Sequence, residues 1–175
     1  MTTEDQDPIG FDVLGEPAPG GSFRAIPIAG VARLIVGSSD VGKKKLERWR
    51  AVVTEAAGAA KFREGVETYD GVLSVGLTFY LPRPKSYPRW RTWSSTKPDL
   101  DKLCRSTLDA MTDAGLIADD ARVARLSAEK LFAEGHRDHP PGVTITIEAM
   151  NDIEKIRGKA REQIDNIRSR QGEDQ

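Results

Sequence analysis

A chain of 175 residues with 38% apolar content fits one compact domain with short extensions, and so one active site. No segment approaches the roughly 20 uninterrupted apolar residues of a membrane span, and the acidic, proline-containing first ten residues lack the basic start and apolar centre of a secretory signal. The single cysteine, Cys104, excludes an internal disulfide and a cysteine cluster for zinc, so a soluble cytoplasmic protein is expected, while a net charge of −1 leaves any polyanion-binding role to local charge.

Residues 1–8 are acidic and aperiodic and predict a disordered tail. Phe11 and Val13 mark a short strand that runs into the turn cluster Gly15-Glu16-Pro17-Ala18-Pro19-Gly20-Gly21. Ala25–Ile28 and Val31–Val36 predict a hairpin around Gly30. Ser38 or Ser39 then caps a helix to about Phe62, with Leu46, Trp49, Val53, Ala56 and Ala60 at helical spacing. Val72–Leu81 alternates, placing Leu73, Val75, Leu77, Phe79 and Leu81 on one face of a strand. Leu100, Leu103, Cys104, Thr107, Leu108 and Met111 form a helical stripe that Gly115 stops, and Cys104 on that stripe reads as a small core residue. Strands over 122–132 and 143–148 complete the sheet. The expected fold is α/β (α+β): a small mixed sheet of four to five strands packed with two main helices. The domain spans residues 9–149. A charged C-terminal helix and tail, 150–175, follows, with Ile153, Ile156, Ala160, Ile164 and Ile167 as a narrow seam for a partner or for the domain itself.

Local charge is uneven. Between Arg83 and Lys102 six basic residues (Arg83, Lys85, Arg89, Arg91, Lys97, Lys102) face two acids and alternate with Tyr87, Trp90 and Trp93. Such a stretch can meet phosphates and unstacked bases, although a solvated loop with inward aromatics has the same composition. Lys43, Lys44 and Lys45 stand on the first turn of a helix, where the dipole disfavours cations, so a polyanion is one reason for them and a solvated face another.

The chemistry concentrates in Lys97-Pro98-Asp99-Leu100-Asp101-Lys102-Leu103 and in Asp119-Asp120 beyond the helix. Capping contributes about 1 kcal/mol and needs one aspartate, so it accounts for part of this pattern. A helix from Asp101 to Ala114 is roughly 20 Å long, and six extended residues cover about the same distance, so a chain that doubles back returns Asp119 and Asp120 to Asp99 and Asp101. Bare carboxylates about 5 Å apart repel by roughly 3 kcal/mol at an effective dielectric of 20, so such a group calls for a cation. Oxygen donors suit Mg²⁺, with Mn²⁺ as a substitute, for water activation at a phosphodiester. Arg105, one turn after Asp101, is placed either for a phosphate or for a salt bridge to Asp101.

That run, together with Leu108-Asp109-Ala110-Met111, Ala114-Gly115-Leu116-Ile117 and Asp119-Asp120-Ala121-Arg122-Val123, resembles the core of RusA-type Holliday-junction resolvases. The resemblance covers about residues 72–147, with a weaker echo in the 15–19 turn. It implies Mg²⁺ held by Asp99, Asp101 and Asp120 with Asp119 in support, an α/β fold, a homodimer, a phage or prophage origin, and paired nicks across a branched, four-way DNA junction. Arg105 would join the aspartates in catalysis, and Lys43, Lys44, Lys45 and the basic residues from Arg83 to Lys102 would contact DNA. Two positions depart from the family: Lys102 replaces a common Asn, and Arg105 a catalytic lysine. Arginine keeps the charge but not the titratable proton.

Two other readings use the same residues. In a junction-binding protein without catalysis the acids and a metal merely order the loop. In a sugar-transferring enzyme Asp-x-Asp chelates a nucleotide-sugar's metal, but no nucleotide-binding βαβ unit is evident. Gly37–Lys43 imitates a phosphate-binding loop, with Lys44 where Ser or Thr is needed, and His136 and His139 read as surface histidines.

Overall fold

The computed structural model describes residues 6–21, 23–28, 31–36, 39–133 and 139–150, with side chains described outside 23–36. The C-terminal seam from Ile153, the hairpin's Gly30, and Gly37, Ser38 and His136 lie outside the described residues.

Four strands form the main sheet in the order β1 (Ile9–Leu14), β6 (Gly142–Ala149), β4 (Leu73–Leu81), β5 (Val123–Phe132). β1 and β4 both pair antiparallel with β6, and β4 pairs parallel with β5, so the sheet is mixed. β2 (Phe23–Ile28) and β3 (Val31–Val36) form a separate antiparallel hairpin, as their sequence predicts. The helices are α1 (Asp40–Glu64) and α2 (Leu100–Asp113).

Each element follows from its residues. β4 alternates buried and half-buried positions along its whole length, with Leu73, Val75, Leu77, Phe79 and Leu81 buried, because the period of two sends every apolar side chain to the helical face. β1 and β6 add Ile9, Phe11, Val13, Val143, Ile145 and Ile147 to the same core. α1 is capped by Ser39, whose hydroxyl accepts from Gly42 N, and ends at Gly65 in the left-handed region. It buries Trp49, Val53, Ala57 and Ala60; Ala56 and Leu46 are only half-buried, so the stripe is rotated slightly from the expected one. α2 buries Leu103, Cys104, Thr107, Leu108 and Met111 as the spacing predicts, and also Ser106 and Ala110. Ser106 is buried because the 15–21 turn lies on it: its hydroxyl donates to Ala18 O at 2.7 Å, while Gly20 N donates to Lys102 O at 2.9 Å.

α2 is the crossover between parallel strands β4 and β5, which an antiparallel hairpin cannot supply. A βαβ unit is therefore present, although not of the nucleotide-binding kind. Its connection, residues 82–99, contains no glycine and so lacks the phosphate-binding turn of a dinucleotide fold.

Two glycines in the sheet stand in close contact with β-strand neighbours, and one of them is sterically required. A Cβ on Gly76 would strike Thr146 Oγ1, and one on Gly142 would strike the backbone oxygen of Val13. The second obstacle is main chain and cannot rotate away. Gly142→Ala should therefore cost about 1 to 3 kcal/mol, the range for overpacking, and lower the thermal midpoint. An unchanged midpoint in a melting scan would contradict this placement.

Candidate functional site

Asp99 caps α2 from an extended backbone conformation, yet its side chain makes no capping hydrogen bond. Its Oδ2 instead lies 2.8 Å from Lys102 Nζ, one turn along. This hydrogen bond, then the Lys102 charge, holds the Asp99 carboxyl below the usual carboxylate range, with Lys97 and Lys130 adding and slight burial opposing. Asp101 and Arg105 are exposed on the next turn, and Arg105 makes no ion pair with any described residue, so of its two possible placements the i, i+4 bridge is not formed.

The acidic pair arrives by a different route from the one its spacing suggests. The segment after α2 is extended only in part: Gly115 takes the left-handed conformation and Leu116 N bonds back to Met111 O, after which Ile117 forms a parallel bridge with Tyr69 and Asp119 is extended. Asp119 then caps a 3₁₀ turn, Asp120–Arg122, by accepting from Ala121 N at 2.8 Å. That turn packs against α2, which brings Asp120's segment to the helix carrying Asp99 and Asp101. Asp119 and Asp120 are exposed, and Arg122 is held by Asp70 at 2.7 Å. Among the described residues no three carboxylate, histidine or cysteine groups converge as a metal cage. The donor chemistry of Asp99, Asp101 and Asp120 is that of a hard divalent cation: exposed carboxylate oxygens on elements that touch. Asp99 as it stands is committed to Lys102.

Residues 82–99 lie along the C-terminal half of β5. Trp93 bridges Leu131, Ser94 N donates to Lys130 O, and Phe132 N donates to Thr92 O. Lys130, which the sequence reading missed, turns its ammonium onto the carbonyls of Thr96 (2.6 Å) and Pro98 (2.8 Å) and so fixes the lead into Asp99. A lysine within an otherwise apolar strand end, Leu131-Phe132, was the available signal. Arg83 is turned inward: its guanidinium sits 4.7 Å from the Phe132 ring centroid, and Nη1 donates to Pro88 O and Arg91 O. It shapes the loop.

The outward members are Lys85, Arg89, Arg91 and Lys97, with Trp90 78% and Trp93 61% exposed. Only Tyr87 folds inward, against Phe132. Exposed tryptophans beside arginines offer stacking faces and cations together. Of the α1 lysines, Lys43 pairs with Asp40 and Lys45 with Glu16, and Lys44 is exposed. Cys104 is buried, which pushes its thiol up, with Asp101 adding. His139 stacks on Tyr80 at 3.8 Å and lies 3.9 Å from Asp12 of β1.

Two tests follow from this geometry. The stabilisation that Asp99 draws from Lys102 is present above the usual carboxylate range and is lost as pH falls through its lowered value. Lys102→Met should move the Asp99 carboxyl titration, followed by NMR, upward towards the ordinary carboxylate range; an unmoved midpoint would exclude Lys102 as the cause. Lys130→Met should destabilise the fold by about 1 to 3 kcal/mol, because two carbonyls lose a charged donor. Denaturant unfolding measures it, and a loss near zero would show that the loop holds itself.

Residues 36–148 match the family model of the endodeoxyribonuclease RusA. The crossover junction endodeoxyribonuclease rusA of Lactococcus phage r1t is 34% identical over 65 residues, which is 37% of this chain and 49% of that protein. The aligned stretch thus spans about half the length of that relative. The family match covers α1, the β4–α2–β5 crossover, both acidic segments and nearly all of β6. With these elements in place, the chain belongs to the RusA endodeoxyribonuclease family.

Proposed function

We propose that this protein is an endodeoxyribonuclease that resolves four-way DNA junctions by paired nicks, with Mg²⁺ held by Asp99, Asp101 and Asp120 and with Mn²⁺ as a substitute. The observation that carries the reading is the family match across both acidic segments, together with the packing of the Asp120 turn on the helix that Asp99 begins. A bound divalent cation supplies water activation and neutralises charge at the phosphodiester. The chain's own residues do the rest. Arg105 offers an uncommitted guanidinium to a phosphate oxygen, and as an arginine it acts by charge and hydrogen bonding only. Lys130 holds the backbone before Asp99, and the Trp90–Trp93 edge offers stacking faces to bases unpaired at a branch. Asp119 supports the turn that presents Asp120. A homodimer would put two such sites on two strands of a junction, which is what paired nicks require.

One observation favours a second reading. Because no three described carboxylates converge, and arginine stands at 105, the protein would bind branched DNA without cutting it.

Nicking of a synthetic four-way junction beside linear duplex, with Mg²⁺ or EDTA, separates the two. Catalysis predicts symmetric, metal-dependent junction cuts that Asp101→Asn lowers by about 100-fold or more, since loss of metal-assisted charge stabilisation is worth several kcal/mol. Tight junction binding with no cuts by the natural chain would establish the second reading.

A further inference from the structure

A cavity of about 410 Å³ opens beside Asp99, between the 15–21 turn, the first turns of α1 and the start of α2. We propose that it receives one unstacked nucleotide, the neighbour of the phosphate to be cut, and that it sets the base preference at the cut. This rests on the nuclease reading above and deepens it.

The walls argue for a nucleoside. Pro17, Pro19, Pro98 and Leu46 present rigid apolar faces, against which the flat face of a base or a sugar can lie. The rim argues for its phosphate. Lys45, Lys97 and Lys102 line the same cavity against two acids; Lys45 pairs with Glu16 and Lys102 with Asp99, which leaves an excess of one positive charge, on Lys97, to meet an anion. Its volume falls in the range of roughly 300 to 1,000 Å³ that small-molecule sites occupy, suited to a single nucleotide and too small for a stacked duplex.

The position sets the register. Asp99 belongs both to this cavity and to the acidic group, so an occupant lies directly beside the reacting phosphate. A base inside a continuous duplex cannot enter, whereas a base unstacked at a branch can, at a lower cost of extrusion. The walls are also pre-set. Gly20 N on Lys102 O and Ser106 Oγ on Ala18 O fasten the turn to α2, so little ordering is required on binding.

The test uses the full chain without divalent metal, so it does not depend on cutting. The four deoxynucleoside 5′-monophosphates, inorganic phosphate and a deoxynucleoside would each be titrated against the ¹⁵N-labelled protein. Expected are millimolar shifts at Gly20, Gly21, Leu46 and Asp99 amides with nucleotides, unequal among the four bases, and much weaker ones with phosphate or nucleoside alone. Equal shifts with phosphate and nucleotides would reduce the cavity to an anion site and overturn the proposal, as would no shifts. Junction nicking supplies the second arm. Leu46→Trp, which fills the cavity, and Leu46→Ala, which widens it, should each change the distribution of cut sites over a randomised junction by severalfold. If the natural chain nicks and both folded variants keep its distribution, the cavity does not set preference and the nuclease reading survives. If the natural chain does not nick, that reading fails, and the nucleotide titration decides the cavity by itself.

Discussion

Parallel pairing of β4 with β5 is the constraint on which the rest of the molecule turns. Parallel neighbours cannot be joined by a tight turn, so the chain must cross over the sheet through α2. The crossover separates two connections. The long one, 82–99, carries the cations and tryptophans and ends at Asp99; the short one carries Asp119 and Asp120 into β5. The segments that carry the acidic residues are thus brought to one helix by the topology of the sheet, on a scaffold that holds a buried apolar core.

Local charge then divides the polar residues by task. Cations that bond to backbone carbonyls or to nearby acids, such as Lys130, Arg83 and Lys45, shape the loops and the first turn of α1. Arg105 and Arg89 are exposed, and Arg91, also exposed, lies over the rings of Tyr87 and Trp90. Lys102 stands between these groups: it masks Asp99 with an exposed pair, which is weak in water and yields to a stronger charge.

Much of the architecture was legible because it rests on period. The alternation of β4, the 3-and-4 spacing of α2, the Ser39 cap and the hairpin all came through local rules that packing reinforces. Less was legible where distant segments meet. The burial of Ser106 depends on Ala18, far away in sequence, and Lys130's role depends on two carbonyls more than thirty residues upstream. A residue count gives the reach of the acidic pair but not its route, which passes the left-handed Gly115 and a bridge to Tyr69. The acidic segments stand out by their linked spacing, and of the alternatives open at the sequence level the Arg105–Asp101 bridge and the inward tryptophans are not formed.

The fastening of the 15–21 turn to α2 bears on how such a chain can diverge. Surface turns ordinarily absorb insertions and deletions. This one is tied at Ala18 and Gly20 to the helix of the acidic residues, and Gly15, at φ 147°, backs onto Trp49. A single added residue would pull one tie out of register, so its length should drift slowly among descendants. The 84–92 tip, whose ties are mostly to itself, is free to change length and with it the reach of the protein over a branch.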